Sequence, residues 1–208
     1  YAFRKYKIKT VENKHTHLVP EELEQLERLS LTGKYMKLQK SLDAFLFCCY
    51  AGMRYSDFTN LSKKNIVDIN QETWLIYKSV KTGTEVRLPL YLLFAGKGIV
   101  ILNKYRNNLE VFFRLRDNSN INKDLIIIAK LAGLSKKISF HTARHTNATL
   151  LIYNGVNITT VQKLLGHKSV KTTQVYTNIM DMTIVHDLEK MKQATLGIKK
   201  KTDNSFNK

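Results

Sequence analysis

Four residues late in the chain have types and spacing suited to chemistry on a phosphate ester. His141 and Arg144 occur in the segment HTARHT, where a spacing of three places both side chains on one face of a helix start. His167 follows a glycine that predicts a helix end, and Tyr176 lies on the helix predicted next. A short connection between those helices would bring imidazole and phenol into one pocket. The set then offers a nucleophile, proton-transfer groups and a cation.

Two basic residues earlier in the chain extend this set. Arg54 follows Gly52 in a short turn, and Lys81 lies between two predicted strands. Metal-free cleavage of a phosphodiester needs cations around the non-bridging oxygens and a proton donor for the leaving alkoxide. The sequence has no HExxH motif, no paired cysteine or histidine clusters and no carboxylates at ligand spacing, so we expect neither a metal nor a cofactor.

Each of these residues alone also has an ordinary structural explanation. His141 and Arg144 fit a surface basic pair, His167 fits a solvated helix cap, and Tyr176 fits the core face of an amphipathic helix. In the same way, Arg54 would form a surface ion pair with the nearby aspartate, and the hairpin lysine would be a solubilising charge.

The surrounding pattern predicts an α+β fold that is mainly α-helical. Helices are predicted over 20–29, 35–50, 99–115, 122–132, 142–154 and 157–166, with a short helical stretch at 53–58, a helix from Ser169 that contains Tyr176, and a further helix at 182–194. The periodicity of the apolar residues changes between residues 73 and 90, where two runs rich in strand-forming residues flank the segment KTGT. This predicts a β-hairpin with Lys81 at its turn.

The charge balance predicts a polyanionic partner. The 208 residues include 34 Lys and Arg against 17 Asp and Glu, a formal net charge of +17, which favours nucleic acid or an acidic membrane surface. A membrane surface is disfavoured because no amphipathic stretch joins a large basic face to an aromatic one. Cys48 and Cys49 are adjacent in an apolar run and are predicted to be buried free thiols, which suits a reducing cytoplasm.

The motifs occur together in a fixed order. They are AGMRYSD around Arg54, Lys81 at the hairpin, HTARHT, LLGH ending at His167, and TTQVY ending at Tyr176. In this combination the chain resembles the catalytic domain of tyrosine recombinases of the phage-integrase family, as in mobile-element integrases, over roughly Leu18 to Ala194. The block from His141 to Tyr176 is specific, because several weak motifs recur there at the family's spacing.

The resemblance implies roles for the earlier residues. Arg54 and Arg144 match the two catalytic arginines, whose guanidinium forks suit contact with the phosphate. Lys81 matches the hairpin lysine that protonates the departing 5′ oxygen, with Lys78 as the alternative if the hairpin alignment slips. Asp57 matches an acidic residue that orients Arg54.

The resemblance also implies how the reaction proceeds. Tyr176 matches the nucleophile, His141 the general acid/base that handles its proton, and His167 a second donor to the phosphate. Attack yields a 3′-phosphotyrosyl link and a free 5′ hydroxyl. Because the link retains the energy of the ester, a hydroxyl of another strand can reverse the step without ATP, which gives recombination.

The resemblance implies double-stranded DNA as the partner and a homotetramer on paired sites. Residues 1–17 are expected to be a basic interdomain arm, 18–194 the catalytic domain and 195–208 a flexible basic tail. An N-terminal core-binding domain is expected to precede this segment. The alternatives are a non-catalytic DNA-binding module and a type IB topoisomerase-like enzyme. Integrases of phages, transposons and conjugative elements and chromosome-resolving recombinases all fit.

Overall fold

The computed structural model describes residues 16–176, which form nine α-helices and one three-stranded sheet. The helices are α1 (Pro20–Glu27), α2 (Gln39–Ala51), α3 (Tyr55–Thr59), α4 (Lys97–Lys104), α5 (Leu109–Phe113), α6 (Asn118–Leu131), α7 (Phe140–Tyr153), α8 (Ile158–Leu165) and α9 (Lys171–Gln174). The strands are β1 (Ile66–Ile69), β2 (Glu72–Lys78) and β3 (Glu85–Pro89). The predicted α+β, mainly α-helical class is confirmed. Most of the predicted arm, the predicted helix at 182–194 and the predicted tail lie outside the described residues.

Helix α2 lies at the centre of the helical layer, in contact with α1, α4, α5, α6 and α7. Its residues Ser41–Ala51 are all buried, as expected for a helix that neighbours cover on every side. Phe47 and Phe58 form a tilted ring pair with centroids 5.9 Å apart, and such pairs contribute about 0.5–1.5 kcal/mol beyond their buried area. The thiols of Cys48 and Cys49 are buried and free, as predicted. The C-terminal end of α2 is therefore fixed by the core.

The sheet is antiparallel, with strand order β1-β2-β3. Strands β2 and β3 form the predicted hairpin, in which Leu75 pairs with Leu88 and both side chains are buried. Strand β1 was not predicted from the sequence, because it has only four residues and an exposed Asp68. Its turn into β2 places Asn70 and Gln71 at φ 53° and 67°, the left-handed pair of a tight hairpin turn.

Two long predicted helices are wrong in part. The helix predicted over 99–115 is two helices, α4 and α5, because the chain turns after Tyr105. The hydroxyl of Tyr105 donates to the buried carboxylate of Asp43 at 2.8 Å, a contact that holds this turn against α2. The helix predicted over 35–50 begins instead as a 3₁₀ segment, Gly33–Leu38, before α2 starts.

Helix ends near the site also differ from the prediction. Helix α6 begins at Asn118, a turn earlier than predicted, because Asp117 Oδ1 accepts from the backbone N–H of Asn120 at 3.0 Å. The last described helix, α9, ends at Gln174. Tyr176 therefore follows this helix instead of lying within it.

Helix α8 joins the helical layer to the sheet, because it contacts α7, α9 and β3. It ends at Gly166, where φ is 62° and a Cβ would lie 2.6 Å from Val86 Cγ2. A side chain at this position would therefore clash with β3, so only glycine allows β3 to pack this close to the end of α8. The hydroxyl of Thr82 donates to the Gly166 carbonyl at 3.1 Å. This bond ties the hairpin turn, residues 79–84, to the end of α8.

Candidate active site

Arg144 is the most deeply buried basic side chain of the site, at 1% exposure. Its Nη1 donates to the Gly52 carbonyl at 2.7 Å and its Nη2 to the Leu165 carbonyl at 2.6 Å. These carbonyls lie at the C-terminal ends of α2 and α8, where helix carbonyls lack an intrahelical donor and carry partial negative charge. Asn147 Nδ2 donates to the Cys49 carbonyl at 2.9 Å, so α7 caps the end of α2 twice.

Both of these hydrogen bonds from Arg144 go to backbone carbonyls, so neither brings its positive charge into contact with a carboxylate. Burial lowers its pKa to about 10, and the nearby charge of Arg54 acts in the same direction. The guanidinium therefore stays protonated at neutral pH. Because both acceptors are neutral carbonyls, its positive charge remains available to an anion.

Arg54 and Asp57 connect the start of α3 to the hairpin. Asp57 is 1% exposed, and its Oδ1 accepts from the backbone N–H of Val80 at 2.8 Å. Its Oδ2 lies 3.5 Å from Arg54 Nη1 and accepts from the Ser79 hydroxyl at 3.4 Å. Arg54 Nη1 also donates to Ser79 Oγ at 3.3 Å. One buried carboxylate thus orients Arg54 and anchors the first residues of the hairpin turn.

The hairpin turn carries Lys81, as the sequence predicts, and this side chain is exposed. The turn is closed by Ser79 N–H donating to the Thr84 carbonyl at 2.9 Å and by Gly83 N–H donating to the Ser79 carbonyl at 2.8 Å. Burial is the main cause that lowers the pKa of His167, and the charge of Lys81 acts in the same direction, so the ammonium of Lys81 lies within electrostatic range of the site.

His167 links the end of α8 to α9. It is 8% exposed, and its Nδ1 lies 2.9 Å from Thr173 Oγ1. Burial lowers its pKa to about 4, with further lowering by the charges of Arg144 and Arg54. The imidazole is therefore neutral at pH 7, where it carries one N–H donor.

Tyr176 is 3% exposed, and its hydroxyl oxygen lies 3.1 Å from Nδ1 of buried His145. His141 is exposed, and its ring lies 4.3 Å from the ring of His145 at an angle of 80°. Burial raises the pKa of Tyr176, whereas the charges of Arg144 and Arg54 act to lower it. The phenol is thus within the field of both arginines.

The structure brings the predicted residues to one region and adds three that the sequence reasoning does not assign. His145 contacts the tyrosine hydroxyl, Thr173 holds His167, and Ser79 joins Arg54 to Asp57. His145 follows His141 by one helical turn, so its place in HTARHT is a signal that both rings share a face. Ser79 and Thr173 carry no comparable signal, because isolated hydroxyl residues occur in most strands and helices.

The described part of the chain holds no group of three or more His, Cys, Asp or Glu side chains that could bind a metal ion. Within residues 16–176, no helix is long and apolar enough to cross a membrane.

Residues 17–182 match the phage integrase family. The chain belongs to this family. A tyrosine recombinase of Thermosipho africanus is 32% identical over 174 residues, which cover 78% of this chain and 59% of that protein. Tyrosine recombinase XerC of Rickettsia prowazekii is 28% identical over 192 residues, covering 88% of this chain and 60% of that protein. This phage integrase family member therefore spans about three fifths of the length of both relatives.

Solved structures of recombinases share the fold of this integrase family chain. The crystal structure of XerA recombinase has a TM-score of 0.64 at 25% identity and covers 85% of this chain and 65% of that chain. XerH bound to a palindromic difH substrate, a post-cleavage complex, has a TM-score of 0.65 at 21% identity, covering 87% and 54%. A lambda integrase tetramer bound to a Holliday junction has a TM-score of 0.62 at 20% identity, covering 77% and 47%. The predicted tyrosine recombinase fold is confirmed.

Proposed function

We propose that this chain is the catalytic part of a site-specific DNA recombinase that cuts and rejoins DNA through Tyr176. The observation that carries the proposal is the buried guanidinium of Arg144, held by two neutral carbonyls while its charge acts on the nearby tyrosine. A preorganised cation beside a phenol is suited to stabilising the charge that develops on a phosphate under attack.

The proposed phosphate-binding site consists of Arg54, Arg144 and His167. The two guanidinium groups would contact the non-bridging oxygens, and Asp57 would orient Arg54. His167 is neutral at pH 7 and has Nδ1 beside the Thr173 hydroxyl. We assign that hydroxyl as the donor to Nδ1, which leaves Nε2–H to donate to the phosphate.

Proton transfer from Tyr176 is the next step of the proposal. Because the pKa of Tyr176 is raised, the phenol is protonated at neutral pH and needs an acceptor. The 3.1 Å contact supports His145 Nδ1 as the first acceptor. His141, which is exposed and in ring contact with His145, keeps the general acid/base role that the family resemblance implies.

The bond changes then balance without a cofactor. The phenolic oxygen of Tyr176 bonds to phosphorus, and the bond from phosphorus to the 5′ oxygen breaks. Lys81 donates its proton to that oxygen, so the leaving group departs as a hydroxyl rather than an alkoxide. The 5′ hydroxyl of another strand reverses the step, releases the tyrosine and completes strand exchange.

The proposed partners are double-stranded DNA and three further copies of the same protein on paired sites. The net charge of +17 supports a polyanionic partner. Tetrameric lambda integrase on a Holliday junction supports the assembly by fold relationship. A core-binding domain N-terminal to this segment, which the family resemblance implies, completes the proposal. The buried free thiols suit the cytoplasm as the site of action.

Covalent trapping tests the nucleophile. The full-length gene product would be mixed in EDTA with a nicked suicide duplex that carries the ends of its own element. We expect a denaturant-resistant adduct that mass spectrometry maps to Tyr176. Tyr176→Phe should keep DNA affinity and form no adduct, because only the nucleophilic oxygen is removed. An adduct formed by that variant would show that another residue attacks.

A pair of histidine variants tests the first proton acceptor. We expect His145→Gln to lower single-turnover cleavage by about 10²–10⁴-fold, the range for loss of a general base. The matched variant His141→Gln removes the neighbouring ring and leaves the contact to Tyr176 in place. If the pH dependence of cleavage survives in His145→Gln and vanishes only in His141→Gln, the proton passes directly to His141 and our assignment is wrong.

A further inference from the structure

The C-terminal end of α8 meets three parts of the site within three consecutive residues. The Leu165 carbonyl accepts from Arg144 Nη2 at 2.6 Å, and the Gly166 carbonyl accepts from the Thr82 hydroxyl at 3.1 Å. The next residue, His167, belongs to the proposed phosphate-binding site. The hairpin turn is therefore bonded to a segment whose residues on both sides serve the phosphate.

Lys81 lies in this turn between two anchored residues. On one side, the backbone N–H of Val80 donates to the buried carboxylate of Asp57 at 2.8 Å. On the other side, the hydroxyl of Thr82 makes the bond to the end of α8. Because Asp57 also orients Arg54, the two anchors relate the backbone of Lys81 to Arg54 as well as to α8.

The geometry of the Thr82 hydroxyl settles the direction of its bond. A carbonyl only accepts, so the hydroxyl is the donor to Gly166. Its oxygen also lies 3.4 Å from the backbone nitrogen of Thr84, which donates to it across the turn. The hydroxyl is therefore oriented by its own turn towards α8.

The remaining bonds of the turn set its shape but not its position on α8. The ladder between β2 and β3 ends at the pair of Lys78 and Glu85. Beyond this pair, the backbones of Ser79, Gly83 and Thr84 bond only to one another across the turn. The Thr82 bond, by contrast, joins residues that are 84 positions apart in the chain. Its loss would leave the turn closed but less firmly placed.

The placement of the turn matters because of the chemistry assigned to Lys81. Its side chain is exposed and carries its charge on a flexible stem. A proton donor must come within about 2.6–3.2 Å of its acceptor, and a shift of about 1 Å can cost about 10²-fold in rate. The backbone position of this lysine is therefore a condition for proton transfer.

We propose that Thr82 is a positioning residue for proton donation by Lys81. Its hydroxyl holds the hairpin turn on α8, so that the ammonium of Lys81 reaches the departing 5′ oxygen while Arg144 and His167 hold the phosphate. Thr82 itself touches no reacting atom and acts through the lysine. The proposal rests on the proposed function, because it takes Lys81 as the proton donor.

Single-turnover cleavage of two DNA substrates by the full-length gene product tests this role. One substrate has the ordinary 5′ oxygen at the scissile phosphate, and the other has sulfur in that bridging position. On both, the phenolic oxygen of Tyr176 bonds to phosphorus and the bond from phosphorus to the leaving atom breaks. Sulfur leaves as a thiolate, because a thiol has a pKa of only about 8.5. Loss of proton donation therefore slows cleavage of the oxygen substrate alone.

Thr82→Val removes the hydroxyl and keeps the branched shape of the side chain. We expect it to cleave the oxygen substrate about fivefold more slowly, which corresponds to about 1 kcal/mol, the net value of one neutral hydrogen bond. It should cleave the sulfur substrate at the wild-type rate, which would also show that the variant is folded.

Two further variants serve as controls. Thr82→Ser keeps the donor and should cleave both substrates at close to the wild-type rate. Thr84→Val makes the same change two residues away, where the hydroxyl has no hydrogen bond within residues 16–176. It should match the wild type on both substrates. A loss in Thr84→Val equal to that in Thr82→Val would contradict the proposal, because any change in the turn would then have the same effect.

The other outcomes separate this proposal from the proposed function. Equal slowing of Thr82→Val on both substrates, or wild-type rates on both, would overturn the positioning role while the tyrosyl adduct still supports recombination. Lys81→Ala is the reference for a missing proton donor and should be slow on the oxygen substrate alone. If sulfur does not rescue Lys81→Ala, another group donates the proton, and the role of Thr82 fails with that assignment. If the wild type forms no adduct at all, the recombinase proposal fails and this one with it.

Discussion

Arg144 and Tyr176 meet in one site but are held in different ways. Arg144 donates two bonds to the backbone ends of α2 and α8, deep in the core. Tyr176 follows the four-residue helix α9 and contacts the side chain of His145 at 3.1 Å. Bonds from a charged donor contribute about 1.5–3 kcal/mol each, against about 0.5–1.5 kcal/mol for a neutral pair. The cationic part of the site is therefore set by folding, whereas the proposed nucleophile depends on a weaker side-chain contact.

The most direct test of this difference compares the losses of stability that two substitutions cause. Arg144→Met leaves the carbonyls of Gly52 and Leu165 without their donor, so we expect the free energy of unfolding to fall by about 2–4 kcal/mol. Tyr176→Phe removes one neutral contact and should cost under about 1.5 kcal/mol. Urea denaturation followed by circular dichroism measures both. Equal losses would show that the tyrosine is anchored as firmly as the arginine.

A pair of glycine variants tests how the backbone supports Arg144 and the hairpin turn. Gly166→Ala places a methyl 2.6 Å from Val86 Cγ2 at a φ of 62°. Gly33→Ala has a similar φ of 53° with no atom within 4 Å. We expect Gly33→Ala to cost about 1–2 kcal/mol from backbone strain alone. Gly166→Ala should cost about 1–3 kcal/mol more, because overpacking adds to the strain. Equal melting temperatures would show that β3 moves aside freely.

A third test concerns the pH dependence that His167 gives to stability. The folded pKa of His167 is about 4, below the ordinary 6.5 that applies after unfolding. Between these values the unfolded chain binds the proton and the folded protein does not, so stability is lost as the pH falls from 6.5 to 4.

The matched variant His167→Gln lacks this titration. Its free energy of unfolding, compared with the wild type at pH 7 and pH 4, should show a loss smaller by about 1–3 kcal/mol. Urea denaturation at both pH values provides the measurement. Identical losses in the two proteins would mean that His167 becomes protonated within the fold, and that its neutral role at the phosphate is misassigned.

Local features of the fold were readable from the sequence, and distant contacts were not. The β2–β3 hairpin follows from strand periodicity and a Gly-containing turn, both within a few residues. The break between α4 and α5 depends on Tyr105 meeting Asp43 across the chain, which no local pattern contains. The acceptors of Arg144 are backbone carbonyls, which have no residue type to recognise.

The same limit applies within HTARHT. Spacing places His141 and His145 on one helix face, but burial decides which ring meets the phenol. His145 is buried and His141 is exposed, a difference that the sequence pattern leaves open. The order of the motifs thus predicted the candidate site residues, while the contacts of these residues depended on three-dimensional packing.

Gly52 and Gly166 end their helices beside the carbonyls that hold Arg144. A Cβ at Gly52 would lie 2.6 Å from Asn147 Oδ1, as one at Gly166 would lie 2.6 Å from Val86. A genetic selection for inactive alleles of this gene should therefore recover changes at both glycine codons alongside those at the codons for Arg144 and Tyr176. Suppressor mutations would then arise at the partner codons, such as a smaller side chain in place of Val86.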